Sequence, residues 1–69
     1  MIPASDRLLW AEVEDRARIH GWDARERVCR EAASHACRRL KARTDAEREE
    51  IRGRIDRLWV ERVTMWGPV

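Results

Sequence analysis

An all-α fold, with two or three antiparallel helices in a helical hairpin or small bundle, is predicted by three features of the chain. Apolar residues recur at steps of three and four over most of its length, the spacing of one helical face. Helix-start chemistry stands at Thr44 and at Asp23, and Gly21 and Gly67 suit helix ends. Acidic residues also gather where helices should begin and basic ones where they should stop. The expected helices cover about 6–20, 24–43 and 45–66, within one small domain spanning 1–69.

The third helix carries the strongest signals. Thr44-Asp45-Ala46-Glu47 fits a capping box, in which the Thr hydroxyl takes one free N–H and the Glu carboxylate takes another. Asp45, Glu47, Glu49 and Glu50 load the first turns with negative charge, as the helix dipole favours. Ile51, Ile55, Leu58, Trp59, Val63 and Trp66 then form one stripe, and Gly67-Pro68 closes the helix. Gly53 lies inside and weakens it by about 1 kcal/mol relative to Ala.

In the first helix, capped by Ser5 or Asp6, Leu9, Trp10, Val13, Ala17 and His20 share a face. Leu8 and Ile19 fall on the other side, so this helix has a second apolar line that asks for another helix or another molecule. After Gly21, Asp23 and Glu26 offer a second capping box behind Trp22. The apolar positions of the second helix, Val28, Cys29, Ala32, Ala33, Ala36, Cys37 and Leu40, are nearly all small. A neighbour can therefore come close, and the Trp and Ile of the third helix are the expected fillers in an antiparallel pair. No Gly or Pro separates the second helix from the third, but Arg38, Arg39, Lys41 and Arg43 followed by Asp45–Glu50 argue for a break there.

A chain of 69 residues gains only a marginal core from its own side chains. Disulfides do not compensate: Cys29 and Cys37, eight apart on one helix, stand roughly 12 Å apart along its axis, beyond bonding reach. Two free thiols, no signal-peptide pattern in Met1–Arg7 and no long apolar run lead to the expectation of a cytoplasmic protein with no membrane partner. Surplus apolar surface on so small a chain leads to the expectation of a homodimer, in which hairpins combine into a larger helical bundle.

Chemistry-bearing patterns are sparse. Cys29, His35 and Cys37 lack zinc-finger spacing, and no phosphate loop or nucleophile motif is present, so neither a metal, a cofactor nor catalysis is expected. Acidic residues are matched by Arg at helical spacing, Glu12 with Arg16, Glu14 with Arg18, Glu26 with Arg30 and Glu50 with Arg54, as on solvated faces. His20 is expected to cap helix carbonyls or to pack on Trp22.

The reading that follows is a small non-catalytic interaction module that binds and modulates or inhibits an unidentified protein. Phages and other mobile elements carry small regulators in this format. Leu8, Trp10, Ile19, Trp22, Trp59, Met65 and Trp66 are the expected protein-binding residues, since Trp and Arg anchor many interfaces. The alternative is a small helical DNA- or RNA-binding regulator. Residues 23–43 carry a net charge of +4, and Arg30, Arg38, Arg39, Lys41 and Arg43 could meet phosphates or an acidic partner. The whole chain carries only +2, a weak footprint for nucleic acid.

Overall fold

The computed structural model of the chain describes residues 6–64, and the side chains of 6–63. Three α-helices follow one another: α1, Asp6–His20; α2, Arg25–Arg39; and α3, Asp45–Trp59, continued by a π-helical segment, Val60–Thr64. The helix count is thus three rather than two. Cross-helix pairs run in opposite order, Glu12 with His35 and Arg39, and His20 with Glu31, so α1 and α2 are antiparallel.

The core is a single cluster. Leu9, Val13 and Ala17 come from α1, Val28, Cys29, Ala32, Ala33 and Ala36 from α2, and Ile51, Ile55, Leu58 and Trp59 from α3. Leu9, Val13, Val28, Ile51 and Ile55 have no more than 1% of their surface exposed, and fully burying side chains of this kind contributes about 1.5–3 kcal/mol each. The small face of α2 works as expected, but on both sides. It packs against α1 more extensively than against α3, because alanine and cysteine let either neighbour approach.

Local chemistry explains the joints, with several departures from the sequence reading. At Thr44 the full capping box is present: its Oγ1 accepts from the Glu47 N–H at 3.1 Å, and Glu47 Oε1 accepts from the Thr44 N–H at 3.1 Å. The Arg43 N–H donates to the same Glu47 oxygen at 2.9 Å. These backbone donors, Arg43 first, hold the Glu47 carboxyl below its ordinary range. No such box forms at Asp23. The cap position falls to Ala24, without a side-chain hydrogen bond, and α2 begins at Arg25. The short turn back from Gly21, with the Ala24 N–H bonded to the Gly21 carbonyl at 3.2 Å, places Asp23 outside the capping position.

Helix α2 also stops earlier than predicted. The Ala42 N–H reaches the Cys37 carbonyl at 2.9 Å and the Lys41 N–H the Arg38 carbonyl at 3.2 Å, the paired bonds of a Schellman end. Lys41 therefore occupies the left-handed position, with φ 56°, where glycine is the usual residue. The predicted break before α3 is real, and this motif makes it. At the other end, α3 does not run on as a regular α-helix: from Val60 to Thr64 the turn widens. Val63 stays packed against the core while Val60 is exposed. The predicted Ser5 cap and the Trp66-Gly67-Pro68 stop lie outside the described residues.

Two substitutions test these local costs. Lys41→Gly relieves the left-handed strain and is expected to stabilise by about 1 kcal/mol. Gly53→Ala meets no atom within 4 Å and is expected to stabilise by about 0.5–1 kcal/mol. In thermal melts each should raise Tm by several degrees, roughly 4–8 °C per kcal/mol at this size. An unchanged or lower Tm for either would contradict its assignment.

Candidate functional site

Two regions concentrate polar and aromatic chemistry around the bundle, and a buried seam ties α1 to α2. The first region is aromatic. Gly21, at φ +91°, ends α1 with its N–H on the Ala17 carbonyl at 2.7 Å, and the turn lays Trp22 back over the bundle. The Trp22 ring then lies 5.9 Å from Trp10 and 5.5 Å from Trp59, centroid to centroid, with tilted planes. This is the range in which aromatic pairs attract beyond their buried area. Guanidinium groups sit at both ends of the row, Arg62 5.4 Å from the Trp10 ring and Arg25 5.8 Å from the Trp59 ring. Trp22 remains 41% exposed, Val60 44% and Ile19 67%.

The buried seam overturns part of the sequence reading. Glu12 is 4% exposed rather than part of a solvated Glu12–Arg16 pair. It turns towards α2, where Oε2 pairs with His35 Nδ1 and Oε1 accepts from Arg39 Nη1 at 3.0 Å. Glu12 lies three residues after Leu9 and next to Val13, so it belongs to the buried face of α1, and its charge must be met from α2. One turn earlier in α2 than His35, His20 Nε2 bonds Glu31 Oε1 at 2.9 Å. His20 therefore pairs across helices instead of capping carbonyls. Arg27 approaches the other Glu31 oxygen at 3.4 Å. The His20 bond first, with Arg27 behind it, holds the Glu31 carboxyl below its ordinary range. Arg18 lies nearest Asp15, at 3.8 Å, rather than Glu14.

The second region is a groove of about 530 Å³ between the end of α2 and the start of α3. Its floor is small and partly apolar, formed by Ala33, Cys37 and Ala42, with Ser34 beside them. Arg38 and Lys41 stand on the α2 side, and Arg48, Arg52 and Glu49 on the α3 side. Arg48 donates to Asp45 at 3.2 Å and Arg52 to Asp56 at 3.3 Å. Burial pushes the Cys37 thiol up, and it pushes up Cys29 beneath the core likewise. Both are free, protonated thiols. Among the described residues, no group of three or more His, Cys, Asp and Glu is placed to hold a metal ion.

The residues singled out from the sequence thus separate. Trp10, half-buried, and the exposed Trp22 form the aromatic region, while the exposed Ile19 stands on the other side of α1 from Trp10. Trp59 is 4% exposed, so it supports that row from the core rather than forming its surface. Leu8 is half-buried on α1, and Met65 and Trp66 lie outside the described residues. The basic residues singled out are all exposed but have different neighbours. Arg38 and Lys41 line the groove, Arg39 is engaged by Glu12, and Arg30 and Arg43 are exposed away from the groove lining. Sequence reasoning missed Glu12, His35, Arg48 and Arg52. The available signal was register: Glu12 continues the Leu9–Val13 line, and Arg48 and Arg52 flank Ile51.

The fold and these surfaces define a small three-helix module with an aromatic–arginine face and a cationic groove. Compared with models of protein families, with curated proteins and with solved structures, the chain gives no match. No helix among the described residues is long and apolar enough to cross a membrane.

Two measurements test the electrostatics. Glu12→Ala leaves His35 and Arg39 without their shared acceptor and is expected to cost about 1–3 kcal/mol in urea unfolding, at the modest end because both partners reach solvent. A loss no larger than that of an exposed-site control such as Glu14→Ala would show the seam to be unimportant. Glu31 and Glu47 have depressed folded values, so their contribution is whole above the unfolded carboxyl value of about 4.5 and fades as pH falls through the folded values. Thermal melts taken from neutral pH down to about pH 3 should show Tm falling only below that point, and Glu31→Gln with Glu47→Gln should flatten the drop.

Proposed function

We propose that this chain is a non-catalytic helical interaction module that forms a homodimer through its aromatic–arginine face and binds another protein, modulating or inhibiting it. The observation that carries this reading is Trp22: a large ring, 41% exposed, wedged between two other indoles and flanked by two guanidinium groups. A monomer has little use for an ordered but exposed indole, whereas interfaces draw their anchors from Trp and Arg. Ile19, 67% exposed on the opposite side of α1 from Trp10, is apolar surface separate from this cluster. A reducing, cytoplasmic setting belongs to the same reading, since both cysteines are free thiols. The small regulators of phages and other mobile elements share this format.

Binding of DNA or RNA is less well supported. The basic residues of α2 divide between the groove, the Glu12 seam and open surface, and acidic groups from α3 stand against the groove cations. A phosphate backbone needs a continuous cationic track.

Sedimentation equilibrium tests the dimer. The unaltered chain should be dimeric at tens of micromolar. Trp22→Ala, at the exposed middle of the row, should yield monomers that keep the helical circular-dichroism spectrum and melt at a lower temperature. A monomeric parent, or a variant that dimerises as well as the parent, would remove this interface.

A further inference from the structure

We infer that the groove between the end of α2 and the start of α3 is a docking site for an acidic amphipathic segment of a partner protein. This rests on the reading of the chain as a protein-binding module, though not on its dimer, because the groove and the aromatic row use different residues. The groove pairs two kinds of surface that such a segment requires. Its floor of Ala33, Cys37 and Ala42 leaves room for one or two apolar side chains to settle against α2. Its volume of about 530 Å³ suits anchors of leucine size rather than a whole domain.

The walls then select charge. Arg48 and Arg52 are each neutralised by a carboxylate of α3, at 3.2 and 3.3 Å. Arg38 and Lys41 are different: among the described residues neither side chain has a hydrogen-bond or ion-pair partner, and both lie on the same wall of the groove. Two unspent cations beside an apolar floor complement carboxylates placed next to an apolar anchor. The Schellman end of α2 fixes this arrangement, since the left-handed turn at Lys41 holds the backbone that brings both cations to the groove. A nucleic acid fits the same place poorly. Phosphates gain nothing from the apolar floor, and Glu49, Asp45 and Asp56 stand against them.

Cys37 supplies the assay. It lines the groove and is partly exposed, whereas Cys29, 1% exposed, is shielded. The probe is a synthetic helical peptide with leucine at every third and fourth position and glutamate between, and its control replaces glutamate by lysine. N-ethylmaleimide labelling of Cys37 in the full chain, followed by mass spectrometry, should slow about fivefold or more with the acidic peptide and stay unchanged with the lysine form. Peptide affinity should fall about tenfold or more in the Arg38→Glu, Lys41→Glu double variant. The milder Arg38→Gln, Lys41→Gln pair provides the same reading if the reversal unfolds, as circular dichroism would reveal. Equal protection by both peptides, undiminished affinity in the glutamine pair, or protection by short duplex DNA but not by the acidic peptide would each overturn the assignment. Sedimentation of the same samples reports the dimer independently, so failure of the groove and failure of the aromatic interface are separable.

Discussion

The small-residue face of α2 is the constraint on which the whole structure depends. Val28, Cys29, Ala32, Ala33 and Ala36 present little bulk, so two helices carrying leucine, isoleucine and tryptophan can close on α2 and on each other. The distance between packed helices is set by the side chains at their contact. A larger residue at Ala32, which has no exposed surface, would force α1 or α3 outward. With only 69 residues, no other part of the chain could restore the lost contact.

The seam between α1 and α2 follows from that closeness. Once Leu9 and Val13 are drawn against α2, Glu12 is drawn in with them, and a carboxylate in that position requires hydrogen-bond donors. His35 and Arg39 provide them from the facing turns of α2. Such a pairing adds little net stability over an apolar contact of similar size. It does oppose a slipped register, since sliding α1 along α2 would leave a buried charge unmet. The aromatic row and the groove are left for other uses. One shows an indole that the core does not cover, and the other shows two cations that no described carboxylate neutralises.

Much of the fold was legible because it is written in local terms. The capping box at Thr44 involves residues three apart, and the α3 stripe through Ile51, Ile55, Leu58 and Trp59 needs only the period of a helix. The end of α2 was read a few residues late because its stop signal is Lys41 in a left-handed turn, and lysine carries no hint of that conformation. Asp23 and Glu26 matched a capping pattern that the turn at Gly21 then moved out of position. The exposure of Ile19 follows from the second apolar line on α1, whereas nothing in the sequence singled out Trp22 among the four Trp as an exposed one. Trp59 was expected both on the core stripe and at a binding surface, and the core absorbs it.

By itself the sequence determined the helices, their approximate limits, the break between the second and the third, and the small face that the others would use. Those depend on contacts between residues a turn apart, which spacing encodes. Only the tertiary structure decided that α2 serves both neighbours, that Glu12 is buried with His35 and Arg39, and that the basic residues divide between a seam, a groove and open surface. These outcomes depend on which helix faces meet and at what register. That is a property of the packed set of three helices, and no single helix's pattern carries it.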